Sequence, residues 1–219
     1  MIRRDYLVRM VQELTQALAR IRFLRKSQDY RRAAAEIQHV LGRVWNLTPE
    51  QIASLSLDEW IGLSRREDGA MGEKLSALAD LLNEQSELYE TERNISEGQR
   101  YAAFSLGLYL EAISSPGTII SVDLLTKVEQ LLARLSGLRL PAEVLKRLLA
   151  YYETRGMLAK AEDVLFDWLD SGASDAPAGG LTFYNRLAAR SDDELTRGEL
   201  PREEVEEGRR ELLERFPKT

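Results

Sequence analysis

The sequence contains no cysteine and only one histidine among its 219 residues. The absence of cysteine excludes disulfides, thiolate nucleophiles and cysteine-ligated zinc sites, and it is compatible with a reducing cytosol. A single histidine leaves little material for Ser/His/Asp catalysis. The common routes to nucleophilic catalysis are therefore absent or poorly supplied.

Long apolar runs are also absent. No stretch approaches the roughly 20 consecutive apolar residues that a membrane-spanning helix needs. The opening MIRRDYLVRMVQEL mixes charged with apolar residues and lacks the apolar region and cleavage site of a secretory signal. We therefore expect a cytoplasmic protein without a membrane partner.

Charge is unevenly distributed along the chain, whose net charge is −6. Residues 1–46 hold ten Lys/Arg against four Asp/Glu, and the remaining residues hold 20 against 32. Such asymmetry predicts either an acidic partner for the basic end or attraction between two ends of one molecule or of a homodimer. The overall acidity argues against nucleic acid as a partner.

Apolar residues recur at three- and four-residue spacing along most of the chain, which predicts an all-α protein. The most regular segment is 140–172, with less regular helical hairpins at 2–45 and 72–114. The segment 140–172 resembles a tetratricopeptide repeat (TPR) unit, because it has large residues on its first helix, Gly156 at the turn and Ala161 early in its second helix. Since such hairpins bury their apolar faces by stacking, we predict a TPR-like stack of antiparallel hairpins, an α-α superhelix that is compact and irregular.

The same patterns predict three parts: a TPR-like helical domain at 1–170, a Gly/Ser/Pro linker at 171–180, and a docked, acidic helical extension at 181–219. Helix starts are signalled by Thr48, Ser56 and Ser191, each followed three residues later by Gln or Glu. Residues 118–120 are expected to form a buried loop before an N-cap at Ser121.

Both ends of the chain carry a resemblance. The opening MIRRDYLVRMVQEL and the closing FYNRLAARSDDEL and LPREEVEEGRREL resemble an uncharacterised family of bacterial TPR-like helical proteins. The matching parts are about the first 45 residues and residues 181–213. Of these two, the C-terminal part, which contains the segment 200–205, is the more specific match. The resemblance implies an α-helical, cytoplasmic protein and brings no activity or functional residues.

A helical Glu-x-x-His stands at Glu36 and His39, the spacing that carboxylate-bridged di-iron bundles use. Such a site needs two of these motifs and two further glutamates, and this chain has one histidine. Only a metal shared across a dimer axis would complete it. We therefore predict no metal and no cofactor, and interpret His39 as a polar residue on a helix flank.

Four basic residues are candidates for partner binding: Arg22, Arg25, Lys26 and Lys146. In a TPR array, the first helices of successive hairpins line a concave groove. We predict that these side chains face that groove and hold a peptide carboxylate or an acidic segment through charge-assisted hydrogen bonds. A solvated basic face is the alternative interpretation.

Three functions compete. The first is a non-enzymatic module that binds a protein or peptide segment. The second is a structural, self-associating helical protein. The third is an enzyme or metal protein built around Glu36 and His39.

Overall fold

The structure is a computed structural model that describes residues 2–65 and 71–217, with side chains from Met10 onward. Every regular element in these ranges is an α-helix, so the predicted all-α class is confirmed for the described chain. The chain divides into two compact units, Met1–Leu138 and Arg139–Thr219.

The helices of the first unit are α1 (Ile2–Lys26), α2 (Tyr30–Trp45), α3 (Pro49–Ser54), α4 (Leu57–Ser64), α5 (Met71–Thr91), α6 (Ile95–Ser114) and α7 (Val122–Arg134). Those of the second unit are α8 (Ala142–Thr154), α9 (Leu158–Asp170), α10 (Ala176–Ala188), α11 (Asp192–Arg197) and α12 (Arg202–Arg215).

Three helix pairs, α1–α2, α5–α6 and α8–α9, pack as hairpins at the predicted positions. Each pair is joined by three residues, and the middle one has positive φ: Gln28 at 60°, Arg93 at 61° and Gly156 at 74°. In each turn the next N–H bonds back to a carbonyl five residues earlier, as in Asp29 to Leu24 at 2.9 Å. This is a Schellman-type helix ending, shared by the three hairpin turns and present also at Asn46 after α2 and at Glu199 after α11.

The first unit is built around the α5–α6 hairpin. Every residue of α6 from Tyr101 to Leu110 is buried, as its nearly uniform apolar sequence predicts. Two buried hydroxyl groups form hydrogen bonds between α5 and α6. Ser105 donates to the carbonyl of Ala79 at 2.8 Å, and Ser86 donates to the carbonyl of Gly98 at 2.6 Å. A Cβ at Gly98 would lie 3.2 Å from the Ser86 carbonyl oxygen, so the helices meet closely there.

The predicted helix starts are present. Thr48, Ser56 and Ser191 each accept a backbone N–H, while Gln51, Glu59 and Glu194 bond back to the cap. Ser121 caps α7 by accepting from the N–H of Leu124 at 3.1 Å.

The expected buried loop before α7 is wrong. Ile119 is 84% exposed and Ile120 is 48% exposed, and Val122 at the start of α7 is 81% exposed. Ile119 and Ile120 lie in the connection between α6 and α7, after Pro116 and Gly117. This connection runs along the surface, and the first buried residue of α7 is Leu124. The β-branched residues 118–120 show no helical spacing, so the sequence gave no information about which of their side chains face the core.

The division into two units differs from the predicted boundaries at 170 and 180. The hairpin at 140–172 belongs with the C-terminal helices, because α10 packs on both α9 and α12. Residues 176–180 of the predicted linker form the start of α10, with Pro177 in its first turn. The small residues serve packing rather than mobility: a Cβ at Gly179 would lie 2.3 Å from the Trp168 ring.

Candidate functional site

A pocket of about 550 Å³ opens in the first unit. It lies between α1 and α7, with α5 as its floor, and we call it the α5 groove. Five cationic and three carboxylate side chains line it, together with polar and apolar residues: Arg22, Arg25, Lys26, Tyr30, Asp80, Asn83, Glu84, Glu87, Thr91, Tyr109, Lys127, Gln130, Leu131 and Arg134. The lining side chains carry two more positive than negative charges, and the carboxylates of Glu90 and Asp123 pair with Arg134 and Lys127 beside the groove.

The floor is an acidic stripe on α5. Asp80, Glu84 and Glu87 are spaced by four and three residues, so they share one face of the helix. Glu84 is the deepest, with 5% of its side chain exposed. A carboxylate at that depth requires partners to remain ionised.

The wall formed by α1 supplies those partners. Arg22 donates from Nε to Glu84 Oε1 at 2.7 Å, and its Nη2 lies 3.5 Å from Asp80 Oδ1. Arg25 donates to both Glu84 and Glu87. The hydrogen bond to Glu84, with the charges of Glu84 and Asp80, raises the pKa of Arg22 despite its partial burial.

Asp80 is held from the other side by α6 and α7. The Tyr109 hydroxyl donates to Asp80 Oδ1 at 2.7 Å, and Lys127 Nζ lies 3.0 Å from the same oxygen. Burial raises the pKa of Tyr109, and the charge of Asp80 and the hydrogen bond to it raise it further. The phenol therefore acts as a neutral hydrogen-bond donor.

Arg134 closes the far end of the α7 wall. Its guanidinium lies 2.6 Å from Glu90 Oε1 and 3.1 Å from Asn83 Oδ1, and it also donates to the Ser86 hydroxyl. Since Asn83 donates in turn to Glu87 at 3.1 Å, the polar network continues along the floor of the groove.

Three side chains that line the groove have unused hydrogen-bonding capacity. In the described part of the chain, Lys26 makes no ion pair, and the Tyr30 hydroxyl and the Gln130 amide have no hydrogen-bond partner. Lys26 and Gln130 are exposed and Tyr30 is half-buried. These groups are available to a ligand.

The structure brings together three of the four predicted binding residues. Arg22, Arg25 and Lys26 line the α5 groove, but the two arginines are engaged by carboxylates of the chain itself. Lys146 is not among the lining residues; it lies on α8 in the second unit, where its Nζ is 3.1 Å from Asp175 Oδ2.

The sequence-based prediction missed the groove's carboxylates and its second wall. Asp80, Glu84 and Glu87 carried a usable signal, because their shared helical face lies on a helix whose other positions are largely apolar. Lys127 and Arg134 carried none, since nothing in α7 alone shows which helix its cations approach.

The Glu36/His39 pair lies elsewhere on α2. Glu36 accepts two hydrogen bonds from Arg20, at 2.6 and 2.9 Å, and His39 is exposed. Among the described side chains, those of residues 10–65 and 71–217, no group of three or more His, Asp or Glu is arranged to hold a metal ion.

None of the helices in the described ranges has the length and apolar character that crossing a membrane requires.

A search of curated proteins and a search of solved structures each gave no match. A family model does match, described as a family of unknown function (DUF6483), and the match covers residues 1–217. The chain therefore belongs to this family of unknown function.

Proposed function

We propose that this protein is a non-enzymatic interaction module in which the α5 groove binds a segment of another protein. The observation that carries the proposal is the groove itself, an open pocket of about 550 Å³ whose Lys26, Tyr30 and Gln130 side chains have no partner among the described residues. Binding sites are typically concave and present a small number of polar groups that orient the ligand.

The proposal includes a TPR-like arrangement of the hairpins. The two hairpins of the first unit support it, because α5, the first helix of the second hairpin, packs on both helices of the first hairpin, α1 and α2. The groove uses the first helix of one hairpin, α1, and the first helix of the next, α5. That is the relation expected of neighbouring repeats.

The ion pairs of the groove decide which variant tests this function. Reversing the charge of Arg22 or Arg25 would place a carboxylate beside the buried Glu84, and loss of binding would then be mixed with loss of folding. Lys26→Glu avoids this, because Lys26 is exposed and makes no ion pair in the described chain.

A display selection from random peptides provides the test. The wild-type protein should enrich peptides that Lys26→Glu fails to retain. Lys160→Glu is the matched control, since Lys160 is an exposed lysine on α9 that does not line the groove. Absence of enrichment with the wild-type protein, or equal loss with both variants, would refute the proposal.

Self-association is the second candidate, and the apolar surface at Ile119, Ile120 and Val122 favours it. Ile119 and Val122 are more than four-fifths exposed, which is unusual for neighbouring large apolar side chains. Sedimentation velocity over a concentration series tests it. The sedimentation coefficient should rise with concentration, and Ile119→Ser with Val122→Ser should abolish the rise; a strict monomer would exclude it.

A further inference from the structure

The unused capacity of the α5 groove is mainly donor capacity and positive charge. Each of the three lining carboxylates is already within ion-pair distance of at least one cation, so none needs a positive ligand. Lys26 has three donors without a partner in the described chain, and Arg22, whose side chain is 52% exposed, has no hydrogen-bond partner there for its Nη1. A cationic segment would have to displace an internal cation, whereas a carboxylate would not.

The spacing of these two cations selects among acidic segments. Arg22 and Lys26 are four residues apart on α1, so they lie on one face about 6 Å apart along the axis. In an extended chain, alternate side chains point to the same side and repeat at about 6.6 Å. Carboxylates two residues apart therefore match the two cations, and adjacent carboxylates point to opposite sides.

We propose that the α5 groove recognises an extended acidic segment carrying the pattern acidic–x–acidic, with its two side-chain carboxylates bound by Arg22 and Lys26. This inference rests on the proposed function and names the class of segment that the groove takes.

The remaining free groups suit the main chain of such a segment. Tyr30 follows Lys26 at the start of α2, and Gln130 stands on the opposite α7 wall. A phenol and an amide each both donate and accept, so they can pair with peptide N–H and carbonyl groups whatever the side chains are. The cations would then specify the acidic pattern, and these neutral groups would support any extended backbone.

Fluorescence anisotropy with three labelled peptides of equal length provides the test. The first alternates Glu with Gly, the second has the same composition with its Glu residues in adjacent pairs, and the third carries Gln in place of Glu. The first two peptides have equal charge, so non-specific attraction to the basic end cancels in their comparison. We expect the alternating peptide to bind about fivefold more tightly than the paired one, the effect of one additional half-exposed ion pair.

Lys26→Gln should remove that preference, and Lys160→Gln should leave it unchanged. Equal affinity for the two Glu peptides, or an unchanged preference in Lys26→Gln, would overturn the acidic–x–acidic pattern. An oligonucleotide that competes as well as the alternating peptide would also overturn it, because the groove would then respond to negative charge alone.

The two proposals fail in different ways. If the display selection enriches peptides that depend on Lys26 but lack spaced acidic residues, the interaction module stands and the acidic pattern is wrong. If the selection enriches nothing and all three peptides fail to bind, the interaction module itself is wrong.

Discussion

Replacing Glu84 with Gln tests the ion-pair network at its most buried point. The substitution keeps the size of the side chain and removes its charge, so it separates electrostatics from packing. Glu84 accepts from both Arg22 and Arg25, and only 5% of its side chain is exposed. Glu84→Gln therefore leaves two guanidinium groups sharing Asp80 and Glu87 as their remaining carboxylate neighbours.

The magnitude follows from the exposure of the cations. Breaking a fully buried pair costs about 3–5 kcal/mol, because the remaining charge is left without compensation. Here the Arg22 and Arg25 side chains are 52% and 25% exposed, so water compensates part of that charge. We expect a loss of about 2 kcal/mol, between the values for buried and exposed pairs.

Urea unfolding measures this loss. With a slope of about 2 kcal/mol per molar urea, the midpoint of the first unit should fall by about 1 M. Near-UV circular dichroism reports on Trp45 and Trp60 of that unit, whose ring centroids lie 6.2 Å apart in an edge-to-face arrangement, together with Trp168 of the second unit. Far-UV circular dichroism follows the whole chain.

Two comparisons decide whether the reasoning is correct. Glu207→Gln makes the same chemical change at a side chain that is 71% exposed, and it should shift stability by less than about 0.5 kcal/mol. Arg22→Gln should destabilise the Glu84→Gln protein less than it destabilises the wild type, since the pair is already broken. A Glu84→Gln midpoint equal to that of the control would refute the network as a source of stability.

Two further predictions start from Gly179 and Glu162 in the second unit, and Gly62 of the first unit serves as the comparison for Gly179. Gly179→Ala should destabilise the protein by about 1–3 kcal/mol in thermal or urea unfolding, because the new methyl group would enter the space of the Trp168 ring. Gly62→Ala, at an exposed position of α4 with no atom within reach of a new Cβ, should instead stabilise by about 0.5–1 kcal/mol; matching effects at the two glycines would contradict this. Burial, with the nearby charges of Glu204, Asp163 and Glu211, raises the pKa of Glu162 above 4.5 although Tyr184 donates to it. A raised carboxyl pKa means that the folded state loses stability as pH rises through it, so Glu162→Gln should have the higher melting temperature at neutral pH, and the difference should vanish below pH 4.5. An equal difference at both pH values would show that charge is not the cause.

The helical hairpins could be predicted because apolar spacing reports directly on which face a helix buries. The turns were harder to recognise. Gly156 signalled one of them, but Gln28 and Arg93 adopt the same left-handed conformation without being glycine. The hairpin at 140–172 therefore looked more regular in sequence than the other two because its turn contains glycine. The backbone makes the same turn at 27–29 and 92–94.

Only the α1 wall of the groove could be predicted from the sequence. Spacing on α1 placed Arg22, Arg25 and Lys26 together, whereas Glu84 lies about sixty residues further along the chain and meets them only through packing. The predicted linker at 171–180 shows the same limit. Small residues indicate mobility from composition alone, and Gly179 is instead small because a tryptophan lies against it.

The arginines of the α5 groove have a consequence for the entropy of binding. Glu84 and Glu87 hold Arg22 and Arg25 in one arrangement before any ligand arrives. Immobilising a long side chain on binding costs about 0.5–1.5 kcal/mol of conformational entropy. Because both guanidinium groups are already ordered in the folded protein, binding does not lose this entropy again. Lys26 has no such support in the described chain. In the proposed complex, the α1 wall would therefore combine a pre-ordered cation at Arg22 with an adaptable one at Lys26. The contact at Arg22 would set the register of the segment, and the contact at Lys26 would accommodate either Asp or Glu.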